Sequence, residues 1–123
     1  MDSVTVRIPA SPQYVSVVRL IAASLGARLG FTIDEIEDLK IGVDELAGYL
    51  TGRDGRDGTL EIRFAISGDS IEIAGGGDFE SRQRAGPELS DFSRRILETV
   101  VDSAALDPGD RSPSFRLSKS RRA

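Results

Sequence analysis

The 123-residue sequence predicts an α/β domain: a two-layer sandwich of three helices on a mostly antiparallel sheet, in the order β-α-α-β-β-α-β-β. Three observations predict it. Short runs of alternating apolar and polar residues, joined by turn signals, point to strands that pair antiparallel. Three longer runs space their apolar residues at intervals of three and four, the period of a helix with one buried face. The length, with 39% hydrophobic residues, suits a single domain with a core of its own.

The elements follow in order. Val4, Val6 and Ile8 alternate with Thr5 and Arg7 in a half-buried strand that ends at Pro9. Ser11 and Pro12 supply an N-cap and a first-turn proline, and Val15, Val18, Ala22 and Leu25 then recur at helical spacing, so a helix is predicted over about 12–29. Thr32-Ile33-Asp34-Glu35 has the form of a capping box and starts a second helix. Its buried stripe is Ile36, Leu39, Val43, Leu46 and Leu50, which places Asp44 and Glu45 beside the stripe as partly buried carboxylates. Gly42 and Gly48 lie in the same helix, although each costs ~1 kcal/mol there relative to Ala.

Residues 51–58, TGRDGRDG, form a loop. Leu60, Ile62, Phe64 and Ile66, the turn 67–70, then Ile71 and Ile73 make a hairpin, closed by the triple glycine 75–77 read as a flexible loop. Residues 78–89 lack any period and read as a further loop. Ser90 or Asp91 caps a third helix with Phe92, Ile96, Val100 and Val101 inward. Strands over 103–107 and 112–118 are joined by Asp107-Pro108-Gly109-Asp110. Residues 1–118 thus make a single domain and 119–123 a basic tail.

Composition removes several chemistries. Without Cys or His there is no disulfide, thiol nucleophile, imidazole base or Cys/His zinc site, and only oxygen-ligand metals such as Mg²⁺ remain open. A thiol-free chain fits a reducing cytoplasm. No signal-type segment or long apolar run is present, so no membrane association is expected. The net charge is −4, and setting aside the four positive charges of the last eight residues leaves −8 on the remainder. An acidic body argues against a direct nucleic-acid surface, and the basic end reads as a solvated terminus.

The stretch IPASPQYVSVVRLIAASLGARLGFTIDEIEDLKIGVDEL, residues 8–46, resembles the opening helices of the anti-sigma-factor serine-protein kinases of the partner-switching type, down to the closing L-K-x-x-V-D-E pattern. The element order is similar to the histidine-kinase-like (GHKL) ATPase fold of that family. The resemblance implies three nucleotide motifs. In the first, a Glu serves as general base and an Asn four residues on holds Mg²⁺; Glu45 matches the Glu, and Tyr49 stands where the Asn would be. A phenol offers no amide carbonyl to Mg²⁺. In the second, Asp-x-Gly-x-Gly, the Asp accepts from the adenine amino group; here Gly75, Gly77 and Phe79 occupy the three positions, and Asp78 comes three residues late. The third, a Gly-x-Gly turn near the phosphates, is replaced by Leu89-Ser90-Asp91-Phe92. The resemblance thus implies that Asp44, Tyr49, Gly75 and Gly77 are remnants of a nucleotide site. From the residues alone, the Asp44-Glu45 pair reads first as a solvated helix edge and the triple glycine as a flexible loop after a hairpin.

Two functions follow from the resemblance. One is a regulator of transcription that sequesters a sigma factor, or binds its STAS-domain antagonist, without nucleotide-dependent kinase activity. Arg19 matches a family arginine that contacts both partners, and Val15 replaces the family's acidic neighbour one turn earlier. This reading needs no cofactor and no metal. The other is an active serine kinase that uses Mg-ATP to phosphorylate a STAS-domain antagonist, with Glu45 as base. Relatives imply a homodimer in either case.

Overall fold

The computed structural model describes residues 2–80, 89–109 and 111–122. Its elements are β1 (Asp2–Pro9), α1 (Pro12–Arg28), α2 (Ile33–Thr51), β2 (Gly58–Ser67), β3 (Ser70–Phe79), α3 (Asp91–Val100), β4 (Ser103–Asp107) and β5 (Ser114–Ser120). The strands form one five-stranded sheet in the order β1-β2-β3-β5-β4, antiparallel at every pairing. Alternate residues of β2, β3 and β5 are buried, which leaves one face for the helices and one for solvent. The predicted class and order are the observed ones.

α2 is the central helix, packed on α1 along one side and on α3 along the other. Leu39, Val43, Leu46 and Leu50 of its stripe are buried against Leu60, Ile62, Phe64, Ile71, Ile73 and Leu117 of the sheet. Burying a side chain of that kind contributes about 1.5–3 kcal/mol, so this seam is a major part of the core. Gly42 faces the end of α3, where a Cβ would lie 2.9 Å from Val101 Cγ1. The glycine allows the two helices to come that close.

The capping box forms as read. Glu35 N donates to Thr32 Oγ1 at 3.1 Å, and Thr32 N donates to Glu35 Oε1 at 2.8 Å. Pro12 opens α1, but Ser11 makes no side-chain cap bond there. The β2–β3 hairpin turns at Gly68, whose φ of 61° suits the first loop residue of a II′ turn.

Four expectations are corrected. The triple glycine is not a loop: Gly75–Gly77 lie inside β3, which runs on through Asp78 and Phe79, while residues 81–88 of the expected loop lie outside the described residues. The cause is packing, since a Cβ at Gly75 would fall 2.6 Å from Phe115 Cζ and one at Gly77 2.5 Å from Phe79 Cζ. Phe92 points outward at 73% exposure and Leu97 is buried in its stead, because Phe92 sits in the first turn, off the face that Leu97 and Val100 share. Asp44 is less covered than read, its side chain 44% exposed, while Glu45 is half-buried. Finally, β5 ends at Ser120, two residues later than read, and Lys119 is buried at 2% exposure. Its Nζ donates to the carbonyl of Val100 at 2.8 Å, capping the C-terminus of α3 with a cation. Arg122 N then donates to Glu35 Oε2 at 2.9 Å, so the expected solvated tail is stitched to the start of α2.

Candidate functional site

α2 carries three of the candidate residues on successive turns. Asp44 and Glu45 are adjacent, and Tyr49 follows Glu45 by four residues, which sets Glu45 and Tyr49 on one side of the helix. Asp44 turns toward α1, where its Oδ1 lies 3.2 Å from Arg19 Nε and its Oδ2 accepts from Arg19 NH1 at 3.4 Å. Asp44 and Arg19 have separate roles when read from the sequence; the fold makes them one ion pair. Partial burial raises the Asp44 carboxyl above its ordinary value; the Arg19 guanidinium pulls it back, and the charge of Glu45 pushes it up again. Val15 does not join this surface. It is 5% exposed and packs in the core, because it shares the inward stripe of α1 with Val18 and Ala22, so in this conformation it presents nothing to a partner.

Tyr49 is half-buried and lines a cavity of about 420 Å³ between α2, α3 and β4. Leu46, Leu97, Val101 and Leu106 give this cavity an apolar wall, while Arg94, Glu98 and Asp102 add charge. Neither Gly75 nor Gly77 lines it, and Glu45 does not either. The two glycines face the helices from β3 but are roofed: Phe115, the direct cross-strand partner of Gly75, lays its ring over that residue, and Phe79 covers Gly77. Arg56 in turn stacks on Phe79, 3.8 Å from the ring centroid. Asp78 is exposed, on the opposite face of the sheet.

Whether these residues fit Mg-ATP can be tested position by position. Tyr49 offers a phenol, and among the described residues no three acidic side chains cluster to hold a metal. At Gly75 a carboxylate would have to begin where the Phe115 ring lies. At the start of α3, Ser90 Oγ accepts from Ser93 N at 3.1 Å, so the helix caps itself, and Asp91 adds a negative charge where phosphates would approach. The set does not fit Mg-ATP held in the way the three motifs hold it. Phe115 was missed from the sequence, though one signal was present: an aromatic on an alternating strand is a natural cover for a strand glycine.

No protein-family model matches the chain. Individual relatives do. It is 36% identical over 124 positions to the serine-protein kinase RsbW of Bacillus subtilis (strain 168), an alignment that covers 85% of this chain and 78% of the relative. To the RsbW of Listeria monocytogenes (serotype 4a) it is 36% identical over 126 positions, covering 85% and 79%. To the RsbW of Bacillus pumilus it is 37% identical over 92 positions, and there the match spans only 57% of the relative's length. Among solved structures, the RsbU and RsbW domains of a Mycobacterium tuberculosis protein match 99% of this chain and 34% of theirs, with a TM-score of 0.64 at 15% identity, which speaks to the fold alone. On its likeness to these relatives, the chain belongs to the RsbW family of serine-protein kinases, the partner-switching family that its first two helices resemble.

Proposed function

We propose that the chain regulates transcription by binding: it sequesters a sigma factor, or engages the STAS-domain antagonist, through a surface that includes Arg19, and does so without transferring phosphate from Mg-ATP. The observation that carries this reading is the ring of Phe115 over Gly75, which takes the space an adenine-recognising Asp would need. Tyr49 at the metal position adds to it, since Mg²⁺ takes oxygen ligands in near-octahedral geometry at ~2.1 Å and a neutral phenol is a poor substitute for a carbonyl. Arg19 supports the binding side of the reading, being half-exposed on α1 with its charged end at the surface.

A kinase is the second reading. What favours it is that the relatives are named serine-protein kinases and that Glu45, the matched general base, is present and reachable on α2. The two readings part in one experiment with purified components. The chain is mixed with each sigma factor of its host cell in EDTA, and separately with each STAS-domain protein and Mg-ATP. The binding reading expects a stable sigma complex without nucleotide, weakened about tenfold or more by Arg19→Glu, because the reversal sets like charges against each other. Serine phosphorylation of a STAS protein that disappears in Glu45→Ala would give the activity to the kinase reading instead.

A further inference from the structure

The outer seam between α1 and α2 is closed by the Arg19–Asp44 pair, with the two side chains 38% and 44% exposed. Around the pair lie residues that the fold itself does not use. Leu20, next to Arg19, is 69% exposed, and Ile41, one turn before Asp44, is 39% exposed. At Gly48, one turn after Asp44, a Cβ would meet nothing within 4 Å, so no neighbour in the chain requires a glycine there. A glycine in a helix costs stability, and one whose Cβ position is open leaves room for another molecule's backbone to come close.

The chemistry of the pair says what that molecule brings. A guanidinium offers its N–H groups as a rigid fork to a carboxylate, and Asp44 already sits against that of Arg19, with Oδ1 3.2 Å from Nε and Oδ2 accepting from NH1 at 3.4 Å. A second carboxylate meets the full charge of Arg19 only when Asp44 moves away from it. Asp44 is held loosely: half-exposed ion pairs are weak, and the adjacent charge of Glu45 works against it.

We propose that Asp44 is an internal stand-in for an acidic side chain of the partner. The partner docks on the α1–α2 seam, places a carboxylate on Arg19 in place of Asp44, and covers Leu20 and Ile41 with apolar side chains. This rests on the reading of Arg19 as a partner contact and adds to it the class of the partner group and a residue that tunes affinity. Asp44 lowers the affinity of the seam for any acidic segment, both by occupying Arg19 and by repelling the incoming charge.

The test is a double-mutant cycle by calorimetry with each purified sigma factor of the host cell, using the wild-type chain, Asp44→Asn, Arg19→Ala and the double variant. The substitution Asp44→Asn keeps the shape and removes the charge, so binding should tighten about three- to tenfold. In the Arg19→Ala background the same substitution should change the dissociation constant by less than about twofold. Weaker binding by Asp44→Asn would show that Asp44 positions Arg19 rather than competing for it, and an equal gain in both backgrounds would show a general charge effect; either overturns the proposal. If no sigma factor binds the wild-type chain or any variant, the proposal falls together with the sigma-factor arm of the parent reading, and only the STAS-domain arm stands. That failure is distinct from a wild-type complex indifferent to Asp44.

Discussion

At the scale of single residues, the two glycines of α2 have opposite physical meanings. Gly42 is required by packing, since its missing Cβ makes room for Val101, a β-branched side chain with little freedom to move aside. Gly48 has no such neighbour. Replacing Gly48 by Ala should therefore stabilise the isolated domain by about 1 kcal/mol, the helix-propensity difference, and raise the melting temperature by roughly 3 to 6 °C for a domain of this size. The substitution Gly42→Ala should lower it, because overpacking of about 1–3 kcal/mol outweighs the same propensity gain. Thermal melts of the two variants check both signs. From the sequence the pair looked alike, since helix propensity is local and reads both as equal defects. The difference lies in what α3 brings to Gly42 from nearly sixty residues away. Gly75 was misread for the same reason: its partner Phe115 is adjacent only in the sheet.

At the scale of elements, the start of α2 was legible because its signal is local. Thr32 and Glu35 are three residues apart, and a capping box needs nothing else. What the sequence did not show is the second use of Glu35, whose other oxygen accepts from Arg122 N at the far end of the chain. The backbone N–H groups of Thr32, first, and Arg122, second, hold the Glu35 carboxyl below its usual range. A carboxyl depressed in the folded state contributes stability that is present above its unfolded value and lost as pH falls through its folded value. Asp44 acts in the reverse sense: raised in the folded state, it carries a penalty above its folded value that is relieved as pH falls through it. Acidification from neutrality should thus first ease the Asp44 penalty and then remove the Glu35 contribution. Melting curves from pH 7 to pH 3 should show the wild type losing more of its stability at the acid end than Glu35→Gln. Separately, Thr32→Ala should cost about 0.5–2 kcal/mol through loss of the cap, read as a lower denaturant midpoint at unchanged slope.

At the scale of the whole molecule, element order and the helix-on-sheet arrangement were legible because periodicity and turn residues report on each segment separately. The terminus was not. RLSKSRRA has the composition of a solvated tail, and only the register of β5 turns Lys119 inward beneath α3. The nucleotide motifs were legible as departures from a pattern, but the physical consequence of each departure needed the fold: the ring above Gly75, the self-capped start of α3, and Tyr49 at the wall of an apolar cavity. Together they are the ground for the proposal that a domain with the family's architecture works here by binding alone. The most direct measurement of that claim is the melting temperature with and without millimolar Mg-ATP. A ligand that binds only the folded state at 100 times its dissociation constant adds about 2.7 kcal/mol, which for this size is a shift of roughly 8 to 16 °C. The account predicts a change within about 1 °C. A Mg²⁺-dependent rise of many degrees with ATP, absent with GTP, would contradict it and place a working nucleotide site in this chain.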